Sequence, residues 1–123
     1  MKFTLDNPSA DYVFGNYGDG KLKVNQTDYD SSLIIFPDML HTDWPISSVN
    51  ELEVQHFEEI IVRSPDIVLL GTGQQQKFPS VELRRSLVQA QLNLEIMDTA
   101  AACRTYNLLV AEGRDVAAAV IIF

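Results

Sequence analysis

The chain reads as an α/β protein, and three features of its sequence say so. Residues 64–123 run strand, loop, helix, strand, turn, helix, turn, strand, with the apolar spacing switching at each boundary. Two segments, Ile67-Val68-Leu69-Leu70 and Val116–Ile122, are apolar on both faces, as strands covered on both sides are. Turn residues fall between the elements: Gly71-Thr72-Gly73 after the first strand, and Glu112-Gly113-Arg114 before the last.

The first forty-odd residues predict an N-terminal β meander. Tyr12-Val13-Phe14 and Lys21-Leu22-Lys23-Val24 flank Gly18-Asp19-Gly20, a turn signal between strand-forming runs. Ser32–Phe36 is a further strand, stopped at Pro37-Asp38, and a short one is expected through Leu40–Trp44. A helix is predicted over Val54–Arg63, or from as early as Asn50. Val54, Phe57 and Ile61 share its inner face, and Ser64-Pro65 ends it. After the Gly71–Pro79 loop, Ser80 caps a helix with Leu83, Leu87 and Ala90 on one stripe, and Asn93 is placed for a left-handed exit. Leu94-Glu95-Ile96-Met97 alternates, which suits an edge strand joined in parallel to Ile67–Leu70. Asp98 or Thr99 caps the last helix and Gly113 stops it. Val116–Ile122 is then the central strand, its alanines letting a helix pack close.

The 123 residues make one domain by size, 1–123, able to bury a core without disulfides or metals. A single cysteine, Cys103, cannot form an internal disulfide. Met1–Asp6 lacks the apolar stretch of a signal peptide and the arginine-rich character of a presequence, so a cytoplasmic location is expected. The longest apolar run is too short to cross a bilayer. Net charge is −8, all of it in residues 1–62, which carry three Lys and eleven acids (3 − 11 = −8); residues 63–123 carry six of each (6 − 6 = 0). This surface repels nucleic acid and anionic membranes. The simpler reading of the excess is solubility; the sharper one is an acidic face for a basic partner.

Three C-terminal segments together resemble one family: Gly71-Thr72-Gly73 after an apolar strand, Asp98-Thr99-Ala100-Ala101-Ala102-Cys103-Arg104-Thr105-Tyr106-Asn107, and Glu112–Ala118. It is a widespread single-domain family of mostly unknown function that includes mitochondrial complex I assembly factor 3 and an adipogenesis-associated vertebrate protein. The resemblance covers roughly Trp44–Ile122. It implies a three-layer α/β fold with a mixed five-stranded sheet in order 2-1-5-3-4, strand five antiparallel to the others. It also implies work through protein partners rather than catalysis.

Candidate chemistry is sparse. Gly71-Thr72-Gly73 offers backbone N–H groups to a small anion or nucleotide-like ligand, with Lys77, Asn107 and Arg114 as donors around it. A dinucleotide fingerprint needs glycine where Gln76 stands, and no Walker lysine follows. The simpler role of the two glycines is a tight exit from the sheet. Asp98 is explained by capping, and Cys103 as a small buried residue. Two histidines and one cysteine show no metal-ligand spacing, so neither metal nor cofactor is expected. Trp44 and Phe78 are core residues or anchors for a partner, and Ile121-Ile122-Phe123 is core or a homodimer contact. The expectation is a non-enzymatic interaction or assembly module, with a ligand-binding protein or enzyme using the Gly71–Gly73 loop as the alternative.

Overall fold

A computed structural model describes residues 10–122 of the chain. Its N-terminal part is a three-stranded antiparallel meander, β1 (Phe14–Gly18), β2 (Lys21–Val24) and β3 (Thr27–Tyr29). Asp19 and Gly20 both take positive φ, 56° and 73°, which matches a two-residue turn to the twist of its strands. Asn25 does the same for the second turn at φ 54°, and this makes the third strand, which the sequence did not signal. The first strand begins at Phe14 rather than Tyr12.

The chain then enters a second sheet through β4 (Leu33–Phe36) and β5 (Met39–His41), a hairpin turning at Pro37-Asp38. β5 stops well short of Trp44. Residues 49–63 are not one helix. Two 3-10 turns, Val49–Glu51 and Val54–Phe57, lead into a short helix α1 (Glu58–Arg63). The second 3-10 turn buries Phe57 and α1 buries Ile60, while the expected inner residue Val54 is left exposed. Ser64 then leaves α1 in the left-handed region, φ 51°, ahead of Pro65.

From there the order is β6 (Ile67–Gly71), α2 (Val81–Gln89), β7 (Leu94–Met97), α3 (Thr99–Ala111) and β8 (Val116–Val120). The caps are those expected: Ser80 Oγ accepts from Leu83 N–H at 3.1 Å, and Gly113 exits α3 at φ 79°. The left-handed exit after α2 falls on Gln91, φ 66°, two residues before Asn93.

The central sheet has the order β5-β4-β8-β6-β7, which is the expected 2-1-5-3-4. Its strand five, β8, is buried at the centre and β7 is at an edge. The direction of β8 departs from expectation. It runs parallel to β6, Ile67 opposite Val116 and Gly71 opposite Val120, and antiparallel only to β4. The reason lies in the connections. Crossing a helix returns the chain to the same end of the sheet, so β6, β7 and β8 run together. The tight β4–β5 hairpin makes β4 the strand that opposes its neighbours.

Alternation along the strands divides the core into two. Ile34, Phe36, Val68, Leu70, Ala117, Ala119 and Ile121 face α1, α2 and the 3-10 turns. Leu33, Ile35, Leu69, Ala118, Val120 and Ile122 face α3 and the meander, where Phe14, Leu22 and Val24 close the side. The result is three layers. Ile121 and Ile122 belong to these cores, while Phe123 and Met1–Asp6 lie outside the described residues.

Candidate functional site

The Gly71-Thr72-Gly73 exit is organised around one buried side chain, Thr99. Its Oγ1 donates to Ile121 O at 2.7 Å and accepts from Gly73 N–H at 2.8 Å, and its N–H donates to Gly73 O at 2.9 Å. Loop, helix α3 and the end of β8 are therefore tied at one point. Gly71 is glycine because α3 comes too near for anything larger. A Cβ there would meet Thr99 Cα and Oγ1 at 3.0 Å and Val120 Cγ1 at 3.1 Å. Gly73 holds φ 103°, open only to glycine. Thr72 folds the loop on itself, its Oγ1 donating to Gln75 O at 2.6 Å and accepting from Lys77 N–H at 3.0 Å.

Above this hub is a cleft of about 350 Å³ lined by Ser47, Ser48, Thr72, Gly73, Gln74, Gln75 and Lys77. Four of the residues singled out by sequence thus gather here: Thr72, Gly73 and Lys77 on the wall, with Gly71 beneath. Asn107 and Arg114 do not join them. Asn107 serves β1, accepting from Phe14 N–H at 2.9 Å and donating to Phe14 O at 2.8 Å. It lies eight residues along α3 from Thr99, about 12 Å of helix rise away. Arg114 precedes β8 at the end of the sheet opposite Gly71, with the whole of β8, about 13 Å of strand rise, between them.

The remaining candidates resolve into structural parts. Asp98 Oδ1 caps α3, accepting from Ala101 N–H at 2.8 Å. The Cys103 thiol is buried, and burial pushes its pKa up to about 12 against a small opposing pull from Arg104. A thiol so held is protonated and a poor nucleophile at neutral pH. Tyr106 is likewise pushed up, first by burial and then by the Asp38 charge; its OH donates to Tyr12 O at 3.0 Å. Trp44 is buried, Phe78 exposed with the Arg84 guanidinium 5.5 Å over its ring. Among the described residues no three His, Cys, Asp or Glu side chains are grouped to hold a metal ion.

A second concavity, about 560 Å³, was not foreseen from the sequence. Its walls are residues 41–45 and 55–62, joined at the floor where Trp44 Nε1 donates to His56 O at 3.0 Å and the Trp44 and Phe57 rings meet edge to face at 5.9 Å. Asp43, Glu58 and Glu59 line it together with His41 and His56, and no Lys or Arg does. His41 Nε2 stands 3.4 Å from Glu59 Oε2 without hydrogen-bond geometry. His56 is committed elsewhere, its Nδ1 accepting from Glu53 N–H at 2.9 Å. Thr99, expected only as an alternative cap, and Ser32 carry structural bonds that the sequence did not signal. Ser32 Oγ donates to Ile46 O at 2.6 Å and accepts from Ile122 N–H at 3.1 Å.

Residues 14–121 match the family described as "Protein of unknown function (DUF498/DUF598)". The chain is 31% identical over 122 residues to the "13 kDa major membrane protein" of Francisella tularensis subsp. holarctica, covering 98% of this chain and 99% of that one. It is 27% identical over 120 residues to "NADH dehydrogenase [ubiquinone] 1 alpha subcomplex assembly factor 3" of Xenopus tropicalis; that match takes in 95% of this chain but 65% of the assembly factor. A crystal structure of a Bordetella parapertussis protein superposes with a TM-score of 0.85 at 31% identity, covering 95% of this chain and 100% of that one.

Proposed function

The chain belongs to the family of unknown function DUF498/DUF598, and from that premise we propose that it is a non-enzymatic protein-interaction module that assists assembly of its partner. What carries this reading is the similarity to an assembly factor along 95% of the chain. The polar chemistry of the Gly71–Gly73 exit supports it, because Thr72 and Thr99 are engaged by the fold itself. The partner is a protein, and the module works in the cytoplasm as one folded unit. Among the described residues no helix is long and apolar enough to cross a membrane. Cross-linking in cells, followed by isolation of the endogenous protein and its fractionation, tests the proposal. A stoichiometric protein partner in the soluble fraction is expected. A chain that stays alone under gentle conditions, or associates only with itself, removes the assembly reading.

A second reading is favoured by one observation, the polar cleft over the Gly71–Gly73 loop. The Lys77 side chain would there meet a small anion, with Ser47 and Ser48 opposite, while the Thr72 hydroxyl and the Gly73 N–H, already bonded, shape the wall. A bound ligand raises the melting temperature by mass action. A thermal-shift screen with phosphate and nucleotides decides it: no shift, or one unchanged by Lys77→Ala, rejects the cleft.

A further inference from the structure

The groove between residues 41–45 and 55–62 encloses about 560 Å³, and its charges are unbalanced. Asp43, Glu58 and Glu59 face it with no lysine or arginine among its lining residues. Arg63, just beyond Val62, is spent elsewhere: it bonds Asp38, and its guanidinium lies 4.3 Å over the Phe36 ring. Glu58 has no side-chain partner among the described residues. Glu59 Oε2 stands 3.4 Å from His41 Nε2, and both of these side chains remain about two-fifths exposed to solvent. Asp43 accepts from Ser31 Oγ at 3.0 Å.

The groove is also partly apolar and stiff. Val62 is 77% exposed on one wall, while the Trp44–His56 bond and the Trp44–Phe57 ring contact fix the two walls to each other. A volume of about 560 Å³ is within the range of binding clefts. Three carboxylates with no lysine or arginine among them, beside an apolar surface, complement one kind of side chain: a long aliphatic stem ending in a cation. Arginine suits this best, because its planar head donates two parallel hydrogen bonds to a carboxylate.

We propose that this groove is the docking surface for a basic, extended segment of the protein partner, with an arginine side chain seated against Glu58 and Glu59 and its stem along Val62. This rests on the interaction-module reading above and supplies the chemistry of the partner. It also gives the acid excess of residues 1–62 a use beyond solubility.

The test titrates the full chain with the peptide acetyl-Ala-Arg-Ala-Arg-Ala-amide and follows backbone amide shifts by NMR. Shifts are expected to concentrate in residues 41–45 and 55–62, and to be missing with the glutamate version of the peptide. The variant Glu58→Gln/Glu59→Gln should bind about fivefold more weakly, as loss of two exposed ion pairs implies. Asp66→Asn/Asp115→Asn removes the same charge from exposed sites elsewhere and should leave affinity unchanged. Shifts scattered over the acidic surface, or equal loss in both variants, overturn the groove. The same variants in native-extract isolation separate the two claims. A partner retained equally by wild type and Glu58→Gln/Glu59→Gln overturns the groove and spares the module. No partner with either protein removes the module, and the peptide titration then judges the groove by itself.

Discussion

The Thr99 hub and the 41–62 groove differ in what their polar groups are doing. At the hub, the hydroxyl of Thr99 holds two buried backbone groups, and Gly71 leaves no room for another atom. At the groove, Glu58 makes no side-chain bond among the described residues, and Glu59, 3.4 Å from His41, still reaches solvent. The difference teaches that the glycine signature marks architecture here, whereas the uncommitted chemistry sits where the sequence shows no motif. The hub should therefore govern stability, and the groove should govern binding alone.

The sharpest way to break that contrast is Thr99→Val. It strands the Gly73 N–H and the Ile121 carbonyl in the core and should cost about 2–4 kcal/mol by urea unfolding, with Thr99→Ser restoring most of it. A loss indistinguishable from zero would mean the hub is not one. Gly71→Ala comes next, at about 1–3 kcal/mol, because the helix start must shift to admit a methyl group. Asn107→Ala removes both bonds to Phe14 and should cost about 1–2 kcal/mol, with faster amide exchange confined to the meander. If instead it abolished ligand shifts and left the meander protected, the placement of Asn107 would be wrong.

Near neutral pH the Cys103 thiol is protonated in both the folded and the unfolded chain, so its effect on stability shows as a pH dependence only in alkali. Its pKa is raised from 9.0 in the reference state to about 12 in the fold. The stability it confers is thus whole below pH 9 and is lost as pH climbs through the folded value. Unfolding midpoints should fall between pH 9 and 12 less steeply in Cys103→Ala than in the wild type. A thiol reagent at pH 8 should label the native chain slowly and the unfolded chain at once. The smallest effect belongs to the groove: Glu58→Gln/Glu59→Gln should move stability by no more than about 0.5 kcal/mol. A large loss there would turn the groove into a structural element and erase the contrast.

Much of the sheet could be read from residues alone because its signals are local and redundant. Val116–Val120 is apolar on both faces and sits at the centre; Leu94–Met97 alternates and sits at the edge. Direction was not legible in the same way, since side-chain periodicity is identical for parallel and antiparallel strands. It was set by α3, which carries the chain back to the end where β6 begins. Asn107 shows a second limit. A polar residue inside a helix announces a bond but not its partner, and Phe14 is 93 positions away. The groove was invisible for a related reason: its walls are brought together by Trp44 and His56, and neither looks like chemistry when read along the chain.

The position of β8 also bears on how the protein is made. A ribosome delivers the β4–β5 hairpin and the β6–β7 pair first, and these have no ladder with each other until the strand between them arrives. Until then each presents an open, apolar backbone edge, the kind that invites wrong pairing. Nascent chains paused before Val116 should thus be sensitive to proteases and bound by chaperones, and protection should come in a single step once β8 emerges.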